Sequence, residues 1–352
     1  MSKDHSAHKM QTIHQIPYRQ ANFELLRIVA MLLVMFFHSD FLSLGRPLRS
    51  DLINNTIGTS FKIMVESACS VCVNVFVLIS GWFLINPSRK GLCKYLFQCF
   101  FFLIGIYLFF LLCGLAPISI NGIKGALCLT SLNWFLRAYL ALYIISPILN
   151  SYLRNTDRRT QRNVLISFYV FQTIYGCSGA AAFVEYGYST FSFIGLYLLA
   201  NYIRYSETLN SRIKWGGLFF LTVVLNSIAY GLGLYLNKDL FILVYGYSNP
   251  LVIFGAVCLI KKFEKIQIRS AQTARCINWI ASSSFAVYLL HANPNIFNNY
   301  FKKTIIILNE HFSGILTIMS IFFFVILVFI VAILLDQPRK WAWRNLSKMI
   351  DK

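Results

Sequence analysis

Arg27 and His38 are the two side chains whose types and spacing most clearly suggest chemistry. Both lie within one apolar stretch, NFELLRIVAMLLVMFFHSDF. A helix places them on the same face, separated by roughly 16 Å along its axis. An ionisable group in a membrane span is costly unless it faces a polar interior, so the pair indicates a functional site. In the alternative interpretation, Arg27 reaches the lipid headgroups and His38 marks the far end of the span.

Further polar side chains are expected at the same depth as His38. The helical rise of about 1.5 Å per residue places Arg137, His291, Asn74 and Asn133 in the outer half of the bilayer with His38. Each of them could instead be an ordinary hydrogen-bond partner between helices. Because His38, Arg137 and His291 come from three separate predicted helices, their common depth favours a shared polar cavity.

A basic segment is expected near Arg27. The loop NPSRKGLCKY brings Arg89, Lys90 and Lys94 to the same side of the membrane as Arg27. Lys and Arg donors are what a nucleotide-like anion requires, so the loop predicts a phosphate clamp. The alternative is the ordinary excess of basic residues in cytoplasmic loops.

The elements that must position these residues are membrane helices. Hydrophobic residues make up 57% of the chain and charged residues 13%, against roughly 25% charged residues in soluble domains. The net charge is +19, but the basic residues are spread among short loops, which is typical of membrane proteins and does not favour nucleic-acid binding.

The nine cysteines are scattered, and we expect no disulfide framework. We expect the histidines of the polar N-terminal tail, His5, His8 and His14, to be solvated.

Apolar runs of about twenty residues predict an all-α polytopic membrane fold with about ten spans. We place a cytoplasmic N-terminal tail at 1–22, a transmembrane domain at 23–335 and a basic cytoplasmic tail at 336–352. The runs at 163–181 and 189–205 contain glycines and could form one broken hairpin instead. The predicted spans cover residues 23–43, 66–86, 95–115, 131–150, 163–181, 189–205, 213–236, 239–260, 276–297 and 313–335.

The distribution of Lys and Arg predicts the orientation of the chain. Basic residues in the two tails and in the even-numbered loops outnumber those in the other loops by about three to one. Cytoplasmic segments carry this excess, so both termini are expected in the cytoplasm.

Four segments, in this order, resemble the motifs of the integral-membrane acyltransferase 3 family, which includes bacterial O-acetyltransferases of surface polysaccharides. ELLRIVAMLLVMFFH is similar to the family signature of an acidic residue, an Arg and a later His. The other three are VFVLISGWFL at 75–84, WFLRAYLALYIISPIL at 134–149 and SSSFAVYLLH at 282–291. The resemblance covers nearly the whole chain. This chain departs from the family in its second basic motif, where Arg89 is followed by Lys90.

The resemblance implies a multi-pass enzyme of the inner or plasma membrane that moves an acyl group from cytoplasmic acyl-CoA to a sugar hydroxyl. By resemblance, His38 is the catalytic base and Arg27 its partner, and Arg89, Lys90 and Lys94 hold the donor. A positioned base suffices for a thioester, so no metal is expected. The acceptor would be a glycan or a lipid-linked glycan, with possible polysaccharide-assembly proteins as partners. Six residues are candidates for contacting substrate or the oxyanion: Glu24, Asn74, Arg137, Ser284, Tyr288 and His291.

Two other classes of function remain open at this point. A transporter or flippase of lipid-linked sugars also has a polar-lined bundle with intramembrane charges. It is weakened by the absence of a detectable internal repeat. A structural scaffold of the cell envelope would leave the intramembrane Arg and His residues without a role.

Overall fold

The computed structural model describes residues 20–130, 133–176, 178, 183–206 and 213–350. The described residues form helices and turns and contain no strand. The expectations for residues 1–19, which include the three tail histidines, and for the end of the C-terminal tail at 351–352 lie outside the described residues. The fold is therefore all-α, as the sequence predicts.

The described residues contain eighteen α-helices, labelled in chain order, and nine of them lie in the first half of the chain. They are α1 (Ala21–Ser39), α2 (Phe41–Leu44), α3 (Arg49–Asn54), α4 (Thr56–Cys69), α5 (Cys72–Phe83), α6 (Arg89–Leu112), α7 (Ile120–Ala126), α8 (Trp134–Asn155) and α9 (Arg158–Phe171). The second half contains nine more. They are α10 (Thr190–Arg204), α11 (Trp215–Tyr235), α12 (Phe241–Tyr245), α13 (Pro250–Glu264), α14 (Ala271–Ala281), α15 (Ser284–His291), α16 (Pro294–Ile296), α17 (Lys302–His311) and α18 (Ile315–Ile350).

Six helical segments of the described residues are long and apolar enough to cross a membrane. They are Ala21–Leu44, Thr56–Phe83, Arg89–Leu112, Trp215–Tyr235, Phe241–Glu264 and Ile315–Lys348. The protein is therefore an all-α polytopic membrane protein. The count of ten spans and the cytoplasmic location of the termini stay predictions.

The predicted spans at 163–181 and 189–205 correspond to short helices. Helices α9 and α10 have 14 and 15 residues, fewer than the roughly 20 that a straight span needs. They pack against each other. The chain between them includes a π-helical turn at Gln172–Gly176 and a short 3-10 turn at Glu185–Gly187. The first run leaves the α-helical conformation in the π-helical turn that ends at Gly176, whereas the second run is one continuous helix despite Gly195.

Close packing of α5 on α10 explains the Ser-Gly-aromatic motif. A Cβ atom added to Gly81 would collide with the backbone of Tyr197 on α10. The Tyr197 hydroxyl accepts from the Ile85 backbone N–H at 2.8 Å and donates to Asn150 Oδ1 at 2.7 Å. These contacts tie α5, α8 and α10 together and fix the segment that leads into α6.

Two features of the last third of the chain differ from the sequence prediction. The predicted span at 276–297 is broken at Ser282 and Ser283, between α14 and α15. Helix α18 continues through the predicted tail to Ile350. At about 1.5 Å per residue a helix of 36 residues is about 54 Å long, far longer than a membrane core of about 30 Å. The segment that we expected to be a cytoplasmic tail is therefore helical as far as Ile350.

Candidate active site

Two histidines from distant helices meet in the interior of the bundle. His38 lies in the last turn of α1 and His291 ends α15. His38 Nδ1 lies 3.1 Å from His291 Nε2, and the ring centroids are 5.1 Å apart. His291 is completely buried, whereas His38 is partly exposed to a cavity. The sequence predicts the same depth for these two residues, and the structure shows that they are in contact.

The contacts of the pair determine where its protons lie. His291 Nδ1 is 2.6 Å from the backbone carbonyl of Val287, which can only accept. In a neutral imidazole, the other nitrogen, His291 Nε2, must then be an acceptor. His38 Nδ1–H can donate to it, which leaves His38 Nε2 without a proton. A neutral His with a free Nε2 is what a general base requires.

Backbone and ring contacts hold His38 in position. The Ser43 hydroxyl donates to the His38 backbone carbonyl at 2.7 Å, which secures the end of α1. The Phe297 ring lies edge-on to the His38 ring at 5.9 Å. The imidazole is therefore fixed by His291 on one edge and by an aromatic wall beside it.

His38 lines a single elongated cavity of about 800 Å³. The cavity also reaches Arg27, which precedes His38 on α1 by about three helical turns. A cavity of this size is in the range of small-molecule and cofactor sites. Arg27 and His38 thus line the same cavity from one helix, with the apolar side chains of Met31 and Val34 between them.

One end of the cavity is cationic. We define the basic end by the five Lys and Arg residues that line it, which are Arg27, Lys94, Arg339, Lys340 and Arg344. Trp279 and Trp343 lie in the same part of the lining. Arg27 Nη1 is 2.6 Å from Glu24 Oε1, one turn earlier on α1. This end combines positive charge with aromatic surface, which suits a phosphate-bearing heterocycle.

A buried ion pair fixes the part of α18 that contributes to the basic end. Arg339 Nε and Nη2 donate to the two carboxylate oxygens of Asp336 at 2.8 and 2.9 Å. Both side chains are almost fully buried. Lys340 Nζ donates to the hydroxyls of Ser282 and Ser283 at 2.7 Å each. Helix α18 is thereby attached to the break between α14 and α15, directly before the helix that carries His291.

The opposite end of the cavity is aromatic and uncharged. We define the aromatic end by Trp134, Tyr188, Phe241 and Tyr247, which line the cavity. The Trp134 and Tyr188 rings are 4.7 Å apart, and so are the Tyr188 and Tyr247 rings. No Lys, Arg, Asp or Glu of the described residues lines this end. Just outside it, Arg46 covers the Phe241 ring and is paired with Asp239 at 2.9 Å.

The middle of the cavity is lined by aromatic rings and uncharged polar groups. Tyr288 lines it, and its ring centroid is 6.2 Å from that of His291. The Ser80 and Tyr139 hydroxyls lie 3.1 Å apart. Gln98 also reaches the cavity. This region therefore separates the cationic end from the histidine pair.

Several predicted site residues lie elsewhere. Arg137 is exposed on the outside of α8 and does not line the cavity, so it does not share the interior position that its depth suggested. The depth of a residue does not determine which side of its helix faces inward, and the side of α8 that carries Arg137 faces outward. Arg89 and Lys90 are also exposed and outside the lining, so Lys94 is the residue of that loop that the structure brings to the cavity.

Other polar candidates are buried between helices. Asn74 Nδ2 donates to the Tyr247 carbonyl at 3.0 Å, behind the aromatic end. Asn133 Nδ2 donates to the Gly125 carbonyl at 3.1 Å. Ser284 is fully buried at the start of α15 and does not line the cavity. Asn74 and Asn133 thus make polar contacts within the bundle, whereas the Ser284 hydroxyl is buried without a hydrogen-bond partner.

Helix α18 contributes to the site, which the sequence did not predict. Asp336, Arg339 and Lys340 were assigned to a tail because they follow a long apolar run. A signal was present in the segment DQPRKW, since an acidic residue at the end of a membrane span is costly unless it is paired. Gln98 was missed as well, because one amide in an apolar helix has no distinctive pattern.

The described residues contain no group of three or more His, Cys, Asp or Glu side chains that could hold a metal ion. His38 contacts His291, whose other ring nitrogen contacts the Val287 carbonyl, and within the described part of the chain no acidic side chain completes a ligand set around the pair.

Comparison with known proteins identifies a family. The family model described as an acyltransferase domain, that of the acyltransferase 3 family, matches residues 20–337. The matched range includes the histidine pair and Arg27 and ends before Arg339, Lys340 and Arg344. No curated protein and no solved structure matches the chain.

Proposed function

We propose that this chain, which belongs to the acyltransferase 3 family, moves an acyl group from acyl-CoA to a hydroxyl of a cell-surface or lipid-linked glycan. The family and the six apolar helices make the protein a membrane acyltransferase. The donor, the acceptor and the location in the inner or plasma membrane are the proposed part.

The observation that carries this proposal is the hydrogen-bonded chain from the Val287 carbonyl through His291 to His38. It leaves His38 Nε2 able to accept a proton at the cavity surface.

In the proposed reaction, His38 Nε2 takes the proton of the acceptor hydroxyl while the hydroxyl oxygen attacks the thioester carbonyl carbon. The carbon–sulfur bond of the tetrahedral intermediate then breaks, and the leaving thiolate takes the proton from Nε2. The products are the ester and free coenzyme A, and His38 is regenerated.

His291 acts through His38 and is a positioning residue in this mechanism. When His38 is protonated, its positive charge is stabilised by the hydrogen bond to His291 Nε2, which in turn is polarised by the Val287 carbonyl. Because His291 does not line the cavity, we assign it no contact with substrate.

Tyr288 is the candidate donor to the oxyanion. Arg137 lies outside the cavity lining and His291 is engaged with His38, so Tyr288 is the one of the three candidates whose side chain both lines the cavity and lies beside the histidine pair. A hydroxyl donor aimed at the developing negative charge stabilises the transition state.

The two ends of the cavity support different substrates. Coenzyme A carries phosphates and an adenine ring, which match the cations and tryptophans of the basic end. The acceptor would approach from the aromatic end, where ring faces can pack against a sugar and no charge favours an anion. With the predicted topology, the donor enters from the cytoplasm and the acceptor meets it from the outer side.

The mass of the surface glycans tests this function. Cells with the intact gene should carry glycans heavier by one acyl group per modified sugar than cells without it. Restoring the gene with His38→Ala, at equal protein abundance in the membrane, should not restore that mass. A transporter of lipid-linked sugars would instead change the amount or length of the glycan and leave its sugars unmodified.

A further inference from the structure

Gln98 combines burial with an unsatisfied hydrogen-bond donor at the cavity. Its side chain is 8% exposed, and its Nε2 atom is buried with no hydrogen-bond partner. Among the described residues, no other side chain both lines the cavity and has a buried polar atom without a partner. Leaving such a donor unpaired is unfavourable, and buried polar groups are paired in most proteins, so the group calls for an explanation.

The position of Gln98 is between the basic end and the histidine pair. Gln98 follows Lys94 by one turn of α6, about 6 Å along the helix axis. Tyr95, on the same helix, stacks on Phe285 of α15 at 5.5 Å. Helix α15 starts beside the Ser282 and Ser283 hydroxyls held by Lys340 and leads away from the basic end to His291. Gln98 therefore lies farther into the cavity than Lys94 and not as far as the histidine level.

The neighbouring polar groups do not satisfy Gln98. The Ser80 hydroxyl donates to the Phe76 carbonyl at 3.0 Å and lies 3.1 Å from the Tyr139 hydroxyl. The Tyr95 hydroxyl donates to the Leu136 carbonyl at 2.8 Å. These groups are paired within the protein, so the free N–H of Gln98 is available to a ligand.

We propose that Gln98 Nε2 donates a hydrogen bond to an amide carbonyl of the pantetheine arm of the donor. This inference rests on the proposed function, in which the donor is acyl-CoA. With the phosphates at the basic end and the thioester at His38, the section of the donor that passes Gln98 is the arm between them. That section is uncharged and contains secondary amides, and a carboxamide N–H is a suitable donor to their carbonyl oxygens.

Binding of donor fragments to the purified full-length protein tests the inference. The probes are acetyl-CoA, acetyl-pantetheine, which has the arm without the nucleotide, and adenosine 3′,5′-bisphosphate, which lacks the arm. Dissociation constants follow from the rise of the melting temperature with probe concentration. The variant is Gln98→Met, which keeps nearly the length of the side chain and removes its hydrogen-bonding groups.

We expect Gln98→Met to weaken acetyl-CoA and acetyl-pantetheine about tenfold, the effect of one lost hydrogen bond in a buried site. Binding of the bisphosphate should not change. The matched control is Gln172→Met, because Gln172 is also a buried glutamine with an unpartnered amide atom and lies outside the cavity lining. It should bind all three probes as the unaltered protein does.

Two results would overturn the inference while leaving the proposed donor intact. Gln98→Met could bind acetyl-CoA as tightly as the unaltered protein does, or it could weaken the bisphosphate as much as acetyl-pantetheine. If the unaltered protein binds none of the probes, the proposed donor is wrong, and the inference falls with it.

Discussion

His38 Nδ1 and His291 Nε2 lie 3.1 Å apart although their helices are at opposite ends of the sequence. The contact explains how one histidine can face the cavity as a base while the other stays fully buried. It also makes the function of His38 depend on a residue that the substrate does not reach.

Replacing His291 should reduce activity through His38. We expect His291→Leu to lower kcat by about 10- to 100-fold with little change in the KM for the donor, because His38 loses the acceptor that fixes its tautomer. His291→Gln should recover part of the rate, since its amide oxygen can accept from His38 Nδ1–H. Steady-state kinetics of all three proteins measure this. Equal rates for His291→Leu and His291→Gln would show that His291 contributes packing alone.

The basic end should bind the donor through α18. Arg344 is exposed and lines the cavity, so Arg344→Ala should raise the Kd for acetyl-CoA about three- to tenfold and make binding less sensitive to salt. Arg89→Ala is the matched control, because Arg89 is an exposed arginine outside the lining. A larger effect of Arg89→Ala than of Arg344→Ala in a binding titration would favour the loop before α6 as the phosphate clamp.

The buried pair of Asp336 and Arg339 should be important for stability. Asp336→Asn leaves the buried Arg339 guanidinium without its carboxylate, which costs about 3–5 kcal/mol. Asp239→Asn breaks the exposed bridge to Arg46 and should cost at most about 1 kcal/mol. The loss of stability in each variant is measured as the fall in melting temperature, with both variants in the same detergent. A fall for Asp336→Asn no larger than that for Asp239→Asn would contradict the assigned role of the pair.

The predicted topology can be tested with reporter fusions. Fusions after residues 90, 157 and 268 should all report a cytoplasmic location, because these loops carry the excess of Lys and Arg. The fusion after residue 268 is the most informative about α9 and α10, which are shorter than a full span, because residue 268 follows both helices and residue 157 precedes them. An extracytoplasmic signal there would move the donor entrance and require a revised path for both substrates.

The sequence was sufficient to predict the fold class and to bring together Arg27, His38 and His291 as candidate site residues. Apolar runs of spanning length and the spacing of Arg27 and His38 depend on local periodicity, which a single helix determines. The rise per residue along a helix also predicts that His291 lies at the same depth as His38.

The remaining parts of the site depend on relations between helices. The side of α8 that faces inward is set by packing, so depth alone placed Arg137 in a cavity that it does not line. The hydroxyls at the break, Ser282 and Ser283, accept hydrogen bonds from Lys340, which lies in a different helix. A prediction from one sequence has no access to such contacts.

The most direct test of the account is the rate at which His38→Ala transfers labelled acetyl groups from acetyl-CoA to glycan extracted from cells that lack the gene. If His38 is the base, the variant should melt near the temperature of the unaltered protein and bind acetyl-CoA with a similar Kd. Its transfer rate should be at least about a hundredfold lower, the effect of a lost general base. Transfer at an undiminished rate by a folded, donor-binding His38→Ala protein would contradict the assignment of His38 as the base.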